Sequence, residues 1–168
     1  MKKIVFCLVV SMLTTFSYAQ SAVKIASAEI TFNFINNDVD GSISGFSSSS
    51  LIDLTTMSNS IFEGSVDVET LKTGNFLRDW HLKSGKYFDV DAHPKITFKS
   101  TSVQETNDGI TVKGMLTIKG ITKELNIEFK KTGNDLMGTT TLFTSDFDIQ
   151  VKDDHDQNKV VVHMVFRL

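Results

Sequence analysis

The densest group of titratable side chains in this chain contains Asp79, His81, Asp89, Asp91 and His93. A histidine oriented by a neighbouring carboxylate is a common general base, so His93 beside Asp91 or Asp89 could abstract a proton. That chemistry also needs a nucleophile, and none of the serines lies in a Gly-x-Ser-x-Gly elbow. Asp and His also commonly cap and turn a chain between a helix and a strand. The turn interpretation is favoured, and no catalytic residue is assigned.

A second acidic run, Asp153-Asp154-His155-Asp156, invites a cation-site interpretation. It lacks the glycine and the distal glutamate of a calcium-binding loop. An isolated acidic run is most often a solvated turn, so no metal and no cofactor is assigned. His163 alternates with Val162 and Met164 in the last predicted strand, which predicts a solvent-facing imidazole.

Almost all of the chain around these groups alternates with the two-residue period of a half-buried strand. One such run places Ile110, Val112, Gly114, Leu116 and Ile118 on one face. Turns rich in Gly, Asn, Asp and Ser separate eight or nine runs of this kind. The pattern predicts an all-β protein of sequential antiparallel hairpins.

One segment, around residues 75–83, departs from that period. Within it Phe76 and Trp80 lie four residues apart, as do Leu77 and His81, which is the spacing of one face of a short helix. A β-protein that places two large aromatic residues on one short helix is expected to cover a cavity with it. Trp80 would then be either a plug of the barrel end or a wall against which a ligand stacks.

The phenylalanine content bears on whether the hairpins close into a barrel or stack as a sandwich. Of the 13 phenylalanines, eleven lie beyond residue 19, mostly on the alternating inner faces. Wide aromatic interiors are typical of barrels that hold an apolar guest. The rings could equally pack against one another. A barrel is favoured, and the self-filled core stays open.

Residues 1–19 have the three parts of a secretory signal peptide: a basic start, an apolar run and small residues before the cut. Cleavage after Ala19 would leave residues 20–168 as a single domain, which we expect to be periplasmic or secreted. The only cysteine, Cys7, would leave with the signal peptide. The exported domain would then have neither a disulfide nor a cysteine-based metal site.

The formal net charge of −3 becomes −5 when the two lysines of the signal peptide are removed. A mildly acidic surface without basic clusters argues against nucleic acid and against anionic membrane as main partners. No later apolar run reaches the roughly 18 residues that a membrane span needs, so stable membrane insertion is not expected. A homodimer is compatible with a barrel that exposes a strand, but nothing in the sequence demonstrates one.

Four segments, in order and spread over the predicted domain, resemble the YceI-like family. They are residues 39–46 (VDGSISGF), residues 78–100 (with RDWHLKS, YFDV and HPKITFKS), residues 114–122 (GMLTIKGIT) and residues 145–149 (SDFDI). The last segment carries Asp148 where the family more often has Gly. The resemblance implies an extended lipocalin-like antiparallel barrel, exported to the periplasm. It also implies that the lumen binds a long apolar chain, such as a polyisoprenoid or a related amphiphilic lipid.

Residues expected to contact such a ligand are the inward aromatic side chains and the apolar side chains of the helix. They are Phe32, Phe34, Phe46, Phe62, Phe76, Leu77, Trp80, His81, Leu82, Phe88, Phe98, Leu116 and Phe143. Arg78, Asp79 and His81 flank Trp80 and are the candidates for recognising a polar head group.

Three functions are consistent with these expectations. The favoured one is a non-catalytic exported protein that carries or stores an isoprenoid or similar lipid. The second is an enzyme that acts on such a lipid with His81 or His93. The third is a structural or interaction domain whose core is filled by its own phenylalanines.

Overall fold

The alternating runs form strands that close into a barrel. The computed structural model describes residues 22–168, and the signal peptide predicted for residues 1–19 lies outside them. The strands are β1 (Ala22–Val23), β2 (Ser27–Phe34), β3 (Val39–Ser48), β4 (Ile52–Asp53), β5 (Glu63–Lys72), β6 (Lys95–Thr106), β7 (Gly109–Ile118), β8 (Ile121–Thr132), β9 (Asp135–Phe143) and β10 (Lys159–Arg167). The helix α1 spans Phe76–Lys83, and 3₁₀ turns span Ile35–Asn37, Met57–Asn59, Thr144–Phe147 and His155–Asn158.

Eight of these strands close in the order β10-β2-β3-β5-β6-β7-β8-β9, and β9 pairs with β10. Every neighbouring pair is antiparallel. This confirms the predicted antiparallel barrel of about eight strands with one short helix. Each barrel strand therefore has two neighbours, and the possible homodimer stays a prediction.

The two ends of the barrel differ in what covers them. At the end where β5 finishes and β6 begins, the chain carries α1 and three of the 3₁₀ turns; we call it the helix end. At the opposite end, residues 49–62 cross the opening and contribute β4, which pairs with β1. We call this the plugged end.

Aromatic rings pack tightly at the plugged end. Phe62 stacks on Phe129 with ring centroids 5.3 Å apart, and Phe129 lies 5.5 Å from Phe166. Phe166 in turn stacks on Phe46 at 5.4 Å. Ile52, from the crossing segment, is completely buried in the same cluster. The phenylalanines therefore fill one end of the barrel themselves, as one interpretation of the sequence allowed.

Hydrogen bonds fix the orientation of α1 on the helix end. Asn75 caps the helix by accepting a hydrogen bond from the backbone N–H of Arg78. The hydroxyl of Thr73 donates to the Asp79 carboxylate, which also accepts from the Thr73 backbone N–H at 2.8 Å. The Arg78 guanidinium donates to the Thr73 hydroxyl at 2.7 Å and to its carbonyl at 2.8 Å. The residue that follows β5 thus ties down the first turn of the helix.

Within residues 22–168, no helix has both the length and the apolar composition needed to cross a bilayer.

Candidate ligand-binding cavity

The barrel encloses an apolar cavity of about 260 Å³ above the packed rings. All eight barrel strands contribute side chains to it, because inward-facing residues alternate with outward-facing ones along each strand. The self-filled hypothesis required rings that meet across the whole interior. The rings meet at the plugged end and leave space towards the helix end.

Eight of the thirteen residues predicted to contact a ligand line this cavity. They are Phe32, Phe34, Phe46, Phe62, Leu82, Phe88, Phe98 and Leu116. Five are on strands, Phe62 directly precedes β5, Phe88 is in the loop after α1, and Leu82 is on the helix. Their contact with a ligand stays a prediction.

Four residues of the helix lie outside the cavity, contrary to the prediction that the large apolar side chains of α1 cover the lumen. Phe76, Leu77, Trp80 and His81 are exposed to solvent. The cause is the tether at Thr73, which directs Arg78 and Leu82, four residues apart, towards the cavity. The opposite face of the helix then points outwards.

Phe143 also lies outside the cavity. The inward positions of β9 are Leu136, Gly138, Thr140 and Leu142, so the two-residue period places Phe143 on the outer face. There its ring stacks on His155, with centroids 4.3 Å apart.

Polar residues gather at the helix end of the cavity, where Asn37, Thr73, Arg78 and Thr144 contribute to the lining. We call these four residues the polar rim. Arg78 is the only cation among the described residues that line the cavity. Its two hydrogen bonds to Thr73 hold the guanidinium at this position. The hydroxyl of Thr144 is buried and has no hydrogen-bond partner in the part of the chain that the structure describes.

The other head-group and catalytic candidates are not at the rim. The Asp79 carboxylate is engaged by Thr73 and does not line the cavity. His81 is on the exposed face of α1, and its ring lies 5.2 Å from that of Trp80. His93 packs against Gly120, away from the lining. The structure therefore places Arg78 at the cavity and places both His81 and His93 outside its lining.

The acidic run at residues 153–156 forms local contacts. The His155 ring lies between two carboxylates that accept from its N–H groups: Nε2 is 3.1 Å from Asp146 and Nδ1 is 3.3 Å from Asp156. The Asp156 carboxylate, with that of Asp146, raises the pKa of the exposed His155 above its ordinary value of 6.5. No group of three or more metal-ligating side chains comes together among residues 22–168. His163 is exposed and contacts Thr139 at 3.2 Å.

Sequence reasoning missed most of the aliphatic lining and three of its phenylalanines, Phe129, Phe147 and Phe166. The additional apolar lining residues are Ile25, Ile30, Val39, Ile43, Val66, Leu71, Ile96, Ile118, Leu125, Ile127, Phe129, Leu142, Phe147, Ile149, Val151, Val160, Val162, Met164 and Phe166. Many of them occupy inward positions that the alternation already marks. The two-residue period of the strands already contained this signal.

Comparison with solved structures places the fold among known barrels. BcnA of Burkholderia cenocepacia superposes with a TM-score of 0.70 at 19% identity, covering 83% of this chain and 94% of that one. A domain from Saccharophagus degradans, described as polyisoprenoid binding and implicated in plant cell wall breakdown, superposes with a TM-score of 0.55 at 11% identity. That match covers 86% of this chain and 95% of the domain. At these identities the likeness concerns the fold.

Sequence comparison gives the family. A UPF0312 protein of Vibrio parahaemolyticus is 32% identical over 144 residues, which are 79% of this chain and 74% of that protein. The model of the YceI-like domain matches residues 16–167. The match spans nearly the whole chain and confirms the resemblance seen in the four segments. The chain therefore belongs to the YceI-like family.

Proposed function

We propose that this chain is an exported, non-catalytic binding protein that holds one isoprenoid or other long apolar lipid in the barrel. The observation that carries the proposal is a cavity of about 260 Å³ with a mostly apolar wall and the polar rim at its helix end. Such a site favours a molecule with an apolar chain and one polar end. Each methylene that leaves water contributes about 0.8 kcal/mol to the free energy of binding. The polyisoprenoid-binding description of the Saccharophagus domain supports the same ligand class.

The polar end of the ligand would lie at the polar rim. Arg78 supplies a fixed cation there, and a guanidinium suits a carboxylate, phosphate or carbonyl oxygen. The unpartnered Thr144 hydroxyl can donate a further hydrogen bond to the same group. The apolar chain would then run from the rim towards the rings of the plugged end.

Solvent extraction tests the proposal directly. The protein is purified from its native host without detergent and extracted with organic solvent, and the extract is analysed by mass spectrometry. We expect one recurrent long-chain amphiphile. Folded protein that repeatedly yields no lipid would contradict the proposal.

Two valine variants localise any extracted lipid. Val162 lines the cavity and its neighbour Val161 does not, so Val162→Trp fills the lumen whereas Val161→Trp adds the same ring outside it. We expect the lipid to be lost from Val162→Trp and retained in Val161→Trp. Equal retention in both folded variants would place the lipid outside the barrel.

Export is a separate part of the proposal and has its own measurement. The mass of the protein recovered from the extracytoplasmic fraction should correspond to a chain that begins at Gln20, after cleavage behind Ala19. Recovery of the full-length chain from the cytoplasm alone would contradict it.

A further inference from the structure

We propose that the outer face of α1 is a docking surface for anionic lipid bilayers, formed by Phe76, Leu77 and Trp80. Bound in this way, the helix end of the barrel would lie next to the membrane. The proposal depends on the surface of the helix and not on what the cavity holds.

The first argument is the exposure of these three side chains. Phe76 is 81% exposed, Leu77 67% and Trp80 63%. The other exposed large apolar residues in the described chain are between 38% and 49% exposed and are distributed over both ends and the outer wall of the barrel. Three large apolar side chains on one turn and a half of helix form a contiguous patch, and such patches mark interaction surfaces.

The exposure is enforced by the fold. The hydrogen bonds from Arg78 to Thr73, and from Thr73 to Asp79, hold the opposite side of the helix against the barrel. The helix cannot rotate to bury Trp80 unless these bonds break. The apolar face therefore remains available to a partner.

The basic residues around the patch favour an anionic membrane as that partner. Residues 72–86 contain Lys72, Arg78, Lys83 and Lys86 against a single aspartate, in a chain whose overall charge is −3. When the adjoining loop up to residue 95 is included, five basic residues oppose three aspartates. Lys95 pairs with Asp67 at 2.6 Å and Arg78 lines the cavity, so Lys72, Lys83 and Lys86 are the cations left beside the patch. Lys83 is partly neutralised by Glu69, which lies 2.9 Å away. The acidic total charge argued against an anionic membrane, but the aspartates of residues 146–156 lie between β9 and β10, on the side of the barrel opposite α1.

The composition of the face points in the same direction. Interfacial helices combine Trp, Phe and Leu on one side with Lys and Arg at the margins, where long basic side chains reach the head groups. Tryptophan in particular favours the boundary between head groups and acyl chains, because its ring is apolar and its N–H is polar. The tethered helix presents this set of side chains on its outer surface.

The patch adjoins the cavity. Arg78 and Leu82, on the inner side of the same helix, line the lumen. An α-helix with its side chains is about 10 Å across, so a bilayer in contact with the outer face would lie within about that distance of the polar rim. An apolar molecule could then pass between cavity and membrane with little exposure to water.

Trp80 is the only tryptophan in the chain, so its fluorescence reports on this surface alone. The purified mature protein, which begins at Gln20, is titrated with vesicles of phosphatidylethanolamine and phosphatidylglycerol. A second titration uses vesicles of phosphatidylcholine. We expect a blue shift of the emission and co-sedimentation with the anionic vesicles, both weakened by salt. Binding to phosphatidylcholine should be much weaker.

A double variant, Phe76→Ser with Leu77→Ser, keeps the fluorophore and removes two apolar anchors. We expect its affinity for anionic vesicles to fall by roughly tenfold or more, since each anchor contributes through its buried apolar area. The matched control is Leu54→Ser with Met137→Ser, which removes two exposed apolar side chains at the plugged end. That control should bind vesicles like the unmodified protein.

Three results would overturn the proposal. The first is an unshifted emission with anionic vesicles at low salt. The second is an equal loss of affinity in the matched control. The third is a dimer in solution that the Phe76→Ser, Leu77→Ser variant converts to a monomer while neither protein binds vesicles, because the patch would then be covered by a second copy.

Discussion

At the scale of single residues, Asn158 holds the loop between β9 and β10 in place. Both the oxygen and the nitrogen of its side-chain amide form hydrogen bonds with the loop backbone. Its Oδ1 accepts from the backbone N–H groups of Val151 and Lys152, both at 2.9 Å. Its Nδ2 donates to the carbonyls of Lys152 and Asp154, both at 2.8 Å. Asn158 is completely buried. The loop that it holds contributes Val151 and Thr144 to the cavity wall.

Replacing Asn158 by alanine should therefore destabilise the whole barrel. The change removes four hydrogen bonds and leaves the N–H groups of Val151 and Lys152 and the Lys152 carbonyl without these partners, while the Asp154 carbonyl keeps the N–H of Gln157. We expect a cost of about 3 kcal/mol. For a chain of this length that corresponds to a fall in Tm of about 6–12 °C, measurable by circular dichroism during thermal unfolding. The control is Gln157→Ala, next to it in the same turn, where the side chain is exposed. If Asn158→Ala and Gln157→Ala had the same Tm, contacts other than those of Asn158 would hold the loop.

At the scale of elements, glycines on the inner faces of the strands make room for the phenylalanine rings. Gly138 pairs with Phe129 on β8 and with Met164 on β10. A methyl group added at Gly138 would lie 2.5 Å from Phe129 Cε1 and 2.6 Å from Met164 Cγ. Phe129 cannot easily move aside, because it is packed between Phe62 and Phe166. The strand position therefore requires glycine for reasons of space.

We expect Gly138→Ala to lower the free energy of unfolding by about 1–3 kcal/mol through overpacking. In a urea titration the midpoint should fall to a lower urea concentration. The slope of the unfolding free energy against urea concentration should stay the same, because the surface exposed on unfolding does not change. Gly85→Ala serves as the control, because the nearest atom to an added methyl there is 3.7 Å away. Equal stability of the two variants would mean that the ring of Phe129 relaxes at no cost.

The sequence predicted the elements better than their orientation. Alternation identified β7 with all five of its inward residues, from Ile110 to Ile118. The spacing of Phe76 and Trp80 predicted α1 within one residue of its start. Which side of α1 faces the barrel depends on Thr73, which meets the helix only through the fold. A local pattern cannot contain that contact.

The candidate site shows the same division. Inward positions follow from the period, so Phe32, Phe98 and Leu116 were predicted to line the lumen and do so. Phe143 was predicted to contact a ligand although the period of β9 places it outside the cavity. The volume left over depends on how the rings pack at the plugged end, and no spacing in the sequence reports that packing.

At the scale of the whole molecule, the capacity of the cavity limits how much of a ligand the barrel can hold. An eight-stranded barrel has an interior just wide enough for its own side chains or for one small ligand. Here the rings occupy the plugged end and leave about 260 Å³. A cavity of about 150 Å³ suffices to bind benzene, so this one has room for roughly ten carbon atoms. With its head group at the polar rim, a ligand would therefore fit best with a chain of about ten carbons, and a longer chain would place its head group beyond the rim.

That limit makes affinity depend on chain length in a specific way. For a series of primary alcohols, each added methylene should tighten binding about fourfold while the cavity still has space. Beyond roughly ten carbons the gain should level off, because further methylenes remain near water.

Displacement of a fluorescent apolar probe from the lumen measures the affinity of each alcohol in the series. Val162→Trp should move the plateau to shorter chains, and Val161→Trp should leave it in place. Affinity that rose steadily to much longer chains would show that the barrel expands around its ligand, whereas affinity independent of length would place the alcohols outside the lumen.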